Sequence, residues 1–298
     1  METNYGDGGS SFSYLPVVIS DAIPENDFDT TEDETFTGTA GRNTALKSGA
    51  RQSITVKGFL KGSGTASQVP ELGKLFRLNQ MSETNSSNTI YSPADGTVSS
   101  SCAIVNLDGI QYVISGARGE SLKIEFEKMK YPTFECKLQG LWTLPSVVAF
   151  AAPTFTDSAM KPQIVQNLGM TIGGNTFVIE KLTLNLKSKL ETEGSLNATN
   201  TQGVNEIAFL SREYDGTIVL KRDANSDIEY FSALVGATEL AVASTGFGPA
   251  GNKISVSWSA FQVDKVTPLF VAGQQYYTVD FRINKSDTRA HELSITFA

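Results

Sequence analysis

The chain carries one histidine, His291, and two cysteines, Cys102 and Cys136, in 298 residues. A zinc site needs clustered His and Cys ligands, and these three scattered residues cannot supply one. A Ser-His-Asp or Cys-His triad would have to use His291. That residue lies in a charged stretch, Arg289 to Glu292, and reads as solvated. No Gly-rich loop with a lysine stands at a strand-helix junction, and Gly246-Phe247-Gly248-Pro249 reads as a turn. No stretch approaches the ~20 apolar residues that span a bilayer. Met1 to Ser13 is Gly- and Ser-rich without a basic start, so no secretory signal is expected. Cations are scarce too: 24 Lys and Arg face 32 Asp and Glu, a net charge of −8. Attractive binding to DNA phosphates is therefore not expected. These absences point away from an enzyme and from any cofactor or metal.

The carboxylates Asp27, Asp29, Glu32, Asp33 and Glu34 lack the glycine and terminal glutamate of an EF-hand. They read as part of a solvated acidic loop. Cys136 falls on the apolar face of a strand pattern and reads as a buried thiol. A pairing with Cys102 stays open, and a reducing cytoplasm is the expected place of assembly.

What is present is β-rich and repetitive. Charged residues make up 19% of the chain, and Gly, Ser, Thr and Asn abound, which favours strands and turns. Tyr131-Pro132-Thr133-Phe134-Glu135-Cys136-Lys137-Leu138 matches Tyr276-Tyr277-Thr278-Val279-Asp280-Phe281-Arg282-Ile283. Period-2 alternation sets Phe134, Cys136 and Leu138 against Thr133, Glu135 and Lys137, and Phe281 and Ile283 against Asp280 and Arg282.

Earlier elements pair in the same order, so the chain reads as two copies of one β-rich module. The first shows a strand at Tyr14 to Ser20 and an acidic loop over Asp21 to Glu34. A strand at Thr35 to Ala40 and a polar turn at Arg42 to Ala50 follow. Then come a strand at Arg51 to Leu60, a Pro70 to Leu78 helix and a hairpin turning at Asp108-Gly109. The second shows a strand through Leu182, Leu184 and Leu186, a polar loop over Glu191 to Asn205 and a strand at Glu206 to Arg212. A turn at Asp215-Gly216 leads into Thr217 to Lys221, whose Ile218-Val219-Leu220-Lys221 matches Ile54-Thr55-Val56-Lys57. A second helix spans Asp227 to Val235. The expected division is a flexible N-terminus over 1–11, a first module over 12–143, a Pro-containing linker over 144–162 and a second module over 163–298.

Several segments carry a family resemblance. Ser20-Asp21-Ala22-Ile23 precedes the acidic run, which leads into Glu34-Thr35-Phe36-Thr37-Gly38-Thr39-Ala40-Gly41. Ser48-Gly49-Ala50-Arg51 enters Ile54-Thr55-Val56-Lys57. Leu60-Lys61-Gly62-Ser63-Gly64-Thr65-Ala66 then precedes Pro70-Glu71-Leu72. In the second half, Ala250-Gly251-Asn252-Lys253 stands before a strand. This pattern resembles the tail tube proteins of long-tailed, siphophage-like bacteriophages. The resemblance implies a mainly β fold: two tandem tail-tube-like β-sandwich or barrel modules, each with one short α-helix. It further implies a structural virion protein, assembled in the host cytoplasm, whose rings stack into a conduit for DNA ejection.

Two modules per chain imply homotrimeric, pseudo-hexameric rings. Other tail proteins are expected partners, double-stranded DNA passes without specific binding, and no membrane insertion is implied. The long loops are expected to reach the adjacent ring, through Asp21, Glu25, Asp27, Asp29, Glu32, Asp33 and Glu34 in one and Glu191, Glu193, Asn197 and Asn200 in the other. Thr133, Glu135, Lys137, Thr278, Asp280 and Arg282 are the candidate ring-interface strand residues. The alternative reading is a β-sandwich adhesion or carbohydrate-binding module of a tail fibre or baseplate, with Trp142 and Trp258 as candidate platforms.

Overall fold

A computed structural model describes residues 17, 19–32, 44–95, 99–148, 154–155, 160–197, 203–222, 232–271, 273–285 and 292–298. One large antiparallel sheet runs through both halves. Its strands in chain order begin with β1 (Asp21–Thr31), β2 (Leu46–Phe59), β3 (Met81–Asn85), β4 (Thr89–Pro93) and β5 (Ser101–Leu107). They continue with β6 (Ile110–Glu127), β7 (Thr133–Leu141), β8 (Ser146–Val147), β9 (Met170–Ile172) and β10 (Asn175–Thr176). The remainder are β11 (Ile179–Gly194), β12 (Val204–Lys221), β13 (Leu240–Ser244), β14 (Ile254–Val271), β15 (Gln274–Ile283) and β16 (Ser294–Phe297). The helix α1 (Gly73–Leu78) follows β2, and a second helical stretch covers 232–236.

Alternation explains why these segments are strands. Phe134, Cys136 and Leu138 of β7 are buried while Thr133, Glu135 and Lys137 are half-exposed, and Leu182, Leu184 and Leu186 of β11 are all buried. Pairing brings the apolar residues side by side. Val56, Cys136, Leu122, Leu186, Tyr214, Ile283 and Phe261 lie opposite one another in succession across seven strands. Phe281 stacks on Trp258 at 5.7 Å and meets Phe261 at 4.8 Å. On the same side, Phe76 of α1 stacks on Tyr91 at 4.6 Å, and Phe297 closes edge-on against both. Burial of each such aromatic contributes about 1.5–3 kcal/mol.

The halves are interlocked. β6 pairs with β11, and β16 bridges β14 to β4. Near that bridge the Gly64 N–H donates to the Gly251 carbonyl at 2.9 Å. A Cβ on Gly251, whose φ is +82°, would sit 2.2 Å from the Gly64 oxygen, so only glycine fits.

Several expectations need correction. Asp21 to Thr31 is not loop but the strand β1, with Arg51 of β2 bonded to Asp27 at 2.8 Å and Asp29 at 3.0 Å. Residues 46–50, expected in a turn, already belong to β2. Asp215-Gly216 is no turn, because β12 runs unbroken from Val204 to Lys221. Gly216 instead leaves room for the Phe281 ring, which a Cβ would approach to 2.5 Å. The strand that leaves the Asp108-Gly109 turn, Ile110 to Glu127, is also unbroken. The segment after α1 holds the β3–β4 hairpin. Helix α1 starts at Gly73, so Pro70 precedes it and accepts the Gly73 N–H through its carbonyl. The second long loop shrinks to 195–203, since β11 reaches Gly194 and β12 starts at Val204. The Asp108-Gly109 hairpin stands as read, with positive φ at both residues. Neither Cys102 nor Cys136 is in a disulfide. Thr35 to Ala40, most of Tyr14 to Ser20, the first part of the second helix, and His291 lie outside the described residues.

Candidate assembly site: two open sheet edges and a polar face

Along the sheet the order is β1-β2-β7-β6-β11-β12-β15-β14, continuing to β13, β9 and β10. In the first four strands β1 and β2 form a hairpin-like pair, β2 pairs with β7, and β7 with β6. In the next four, β11 pairs with β12, β12 with β15, and β15 with β14. The last strand of the first set, β6, pairs with the first strand of the second set, β11, through Lys181↔Glu127 to Lys187↔Ser121.

Among the described residues two hydrogen-bonding edges remain open at the ends of this eight-strand run, while β3, β5, β8 and β10, outside the run, each pair with a single strand. One is the outer side of β1, which pairs only with β2. The other is the outer side of β14 beyond Phe261. Its first half is covered by β13 and β16, but Gln262 to Val271 pairs with β15 alone. Apolar residues are exposed at both: Ile23 on β1, and Leu269, Phe270 and Val271 on β14, with Phe270 72% exposed. Each edge strand contains a proline, Pro24 and Pro268, and proline within a sheet is confined to edges and bulges. Pro24 and Pro268 are thus the sequence signal for the two edges.

The face away from the core is polar and wet. Asp21, Lys57, Glu135, Lys123, Asn185, Asp215 and Arg282 lie opposite one another in succession across it. The neighbouring row runs Thr133, Glu125, Thr183, Thr217 and Asp280. Lys57 meets Glu135 at 3.4 Å, Lys137 meets Glu120 at 2.9 Å, and Lys187 binds Asp215, whose other oxygen accepts from Asn185 at 2.7 Å. Glu125 accepts from Lys123 at 2.9 Å and Lys181 at 3.1 Å. Partial burial works to raise its carboxyl, but the hydrogen bonds and charges of the two lysines outweigh that and hold it below the usual carboxylate value. Asp264 binds Arg282 at 2.6 Å and strengthens its hold on the proton. Such exposed pairs contribute about 0–1 kcal/mol each, so stability alone does not account for so many.

The candidate ring-interface residues Thr133, Glu135, Lys137, Thr278, Asp280 and Arg282 all lie on this face. They sit on interior strands, because β7 is flanked by β2 and β6, and β15 by β12 and β14. Of the inter-ring candidates, Asp21, Glu25, Asp27 and Asp29 are on β1, and Glu191 and Glu193 on β11. Glu32 directly follows β1, and Asn197 lies in the connection after β11. Asp33, Glu34 and Asn200 fall outside the described residues.

A model of the phage tail tube protein family matches residues 1–287. The chain belongs to the phage tail tube protein family. Its role is structural, as a component of the virion tail that assembles with itself and with other tail proteins. No curated protein matches the chain. Of the two candidate platforms for the adhesion reading, Trp258 is buried in the hydrophobic core of the chain, and Trp142 is half-buried edge-on to Phe28 at 5.4 Å.

Proposed function

We propose that this tail tube protein forms closed rings of three chains, each chain contributing two four-strand units, and that stacked rings make a conduit for DNA ejection. The observation that carries this reading is the pair of open edges. In this reading the β6–β11 junction is the template for a β14–β1 junction between copies. Superposing the two units by their registers sets Val266 of one chain opposite Ala22 of the next, as Ile124 is opposite Leu184 within the chain. Open edges of this kind otherwise invite indiscriminate pairing, and a closed ring removes them.

The strand count favours three copies over two. Eight strands from each of three chains, at about 4.8 Å spacing and about 40° tilt, enclose a backbone circle about 48 Å across. Two chains would give about 32 Å, and inward side chains would take about 10 Å of that, leaving little margin for a duplex. Thr31 and Leu46, which flank one connection, and Gly194 and Val204, which flank the other, lie at one end of the sheet. The β6–β7 and β14–β15 turns lie at the other. In the stacked tube, the connections at the first end, with Glu32, Asp33, Glu34, Asn197 and Asn200, reach the ring above. The test is negative-stain microscopy with native mass spectrometry of the purified protein, expected to give rings or tubes built from trimers. Rings of six chains, or a chain that stays monomeric at any concentration reached, would overturn it.

A further inference from the structure

We infer that neighbouring chains share a second contact, on the core side of the sheet: the apolar tip formed by β5, β6 and β8 of one chain covers Pro268 and Phe270 on the β14 edge of the next. The partner is a second copy of this chain, and the inference rests on the reading that β14 and β1 pair between copies.

The template lies inside the chain. The connection from β13 to β14 belongs to the second unit and seats on the first. Phe247 in that connection meets Phe126 of β6 edge-on at 6.0 Å, and both rings are buried. In the same connection the Asn252 side-chain oxygen accepts the Gly62 N–H at 2.6 Å. β13 pairs with the first half of β14 as β5 pairs with the first half of β6, so the β5–β6 hairpin is the first unit's counterpart of that connection. Pro268 is the counterpart of Phe126, since each stands two residues beyond the matched positions Val266 and Ile124.

These counterparts lie open in the single chain. Pro268 is opposite the buried Tyr277 and so faces the core side, and Phe270, two residues on, shares that side. Phe270 is 72% exposed, whereas Phe126, under Phe247, is 2% exposed. At the hairpin tip, Leu107 and Ile110 flank the Asp108-Gly109 turn, and Val147 of β8 lies opposite Ile110 and is 90% exposed. Apolar side chains gathered in this way mark an association surface. Pairing of β6 with β11 brings Phe247 over Phe126 within the chain. Pairing of β14 with β1 of the next chain brings that chain's hairpin tip over Pro268 and Phe270 in the same way.

The experiment compares the full-length parent, Ile110→Ser, Phe270→Ser and the double variant. For each, the concentration above which rings or tubes sediment is measured, and urea unfolding is followed on the unassembled chain. Both side chains are exposed before assembly, so the urea midpoints should stay at the parent's value. Losing one apolar side chain that assembly buries should raise the threshold by about 10- to 100-fold. The double variant should be no worse than the stronger single one, because both changes empty the same contact. Maleimide labelling of Val147→Cys in a Cys102→Ser background gives a second readout, fast in the free chain and slow in assembled rings. It decides the outcome where a serine variant unfolds. Single variants that assemble at the parent's threshold, single effects that multiply in the double variant, or equal labelling in both states would overturn the contact and leave the β14–β1 reading standing. A parent that forms no rings would remove that reading and the contact together.

Discussion

Cysteines placed at Ala22 and Val266 should join neighbouring chains in an assembled tube. The choice follows from register. Cys136 and Phe281 occupy matched positions, with Val56 opposite the first and Gly216 opposite the second. Ala22 lies opposite Val56, and Leu184 opposite Gly216. Phe134 and Val279 match in the same way, with Ile124 and Val266 as their partners. The internal pair Leu184↔Ile124 therefore maps onto Ala22↔Val266 between chains. Directly opposed antiparallel residues have Cα atoms about 4.5–5.5 Å apart, inside the range of about 4.4–6.8 Å that a disulfide accepts. Both positions are partly buried and pack on the core side, so their side chains share a face.

The internal junction joins seven opposed pairs. At about 0.5–1.5 kcal/mol per backbone hydrogen bond, an equivalent junction between chains contributes roughly 4–10 kcal/mol, close to the cost of association. It is thus reversible, and a disulfide would trap it. The assay is non-reducing electrophoresis of mildly oxidised tubes carrying Cys102→Ser, so that no half-exposed native thiol competes. Bands of one, two and three chain masses are expected, ending at three. Replacing Lys265 instead of Val266 moves the thiol by one residue to the other face and should abolish the product. Equal crosslinking with Lys265→Cys, or none in tubes visible by microscopy, would refute the register. A ladder running past three would refute the ring count.

Three further outcomes are expected. Phe281→Ala, which removes a 1%-exposed ring stacked on Trp258, should cost about 3–5 kcal/mol in urea unfolding, and a cost below 1 kcal/mol would contradict the packing described. Cys136 is completely buried, and burial pushes its thiol up to about 12 despite a hydrogen bond from Asn79. It should resist a disulfide reagent at pH 8 in native protein, whereas the half-exposed Cys102 reacts. Glu125 has a folded pKa below its ordinary value of 4.5, so its contribution to stability is present above that value and lost as pH falls through the lower folded one. Glu125→Gln should flatten the acid limb of a stability-against-pH curve, and an unchanged limb would contradict the pairing with Lys123 and Lys181.

Faces were legible in the sequence wherever both sides of a strand differ in polarity, as in Thr133 to Leu138. Register was harder to read. Ile54-Thr55-Val56-Lys57 was matched to Ile218-Val219-Leu220-Lys221, yet Leu138 lies opposite Ile54 while its counterpart Ile283 lies opposite Tyr214. A slip of four residues preserves every face, so period-2 alternation cannot detect it. β1 was hidden for another reason. Its Asp, Asn and Pro residues disfavour strands, and it is held by pairing to β2 and by Arg51 rather than by a buried face of its own. Gly216 misled in the opposite direction, because glycine after aspartate signals a turn unless a ring from the next strand needs its space. The open edges depend on which strands fail to find partners, and that follows only from the complete sheet order.

The β6–β11 junction has a kinetic consequence. In a ring of three chains with six like junctions, three would lie inside single polypeptides and form as each chain folds. Their partners are held at a fixed effective concentration, so they do not respond to dilution. Only the three β14–β1 junctions would then depend on protein concentration. Nucleating a ring becomes a third-order event instead of the sixth-order one required of separate single-unit subunits. Rings should therefore initiate at a lower protein concentration than six separate single-unit subunits would need.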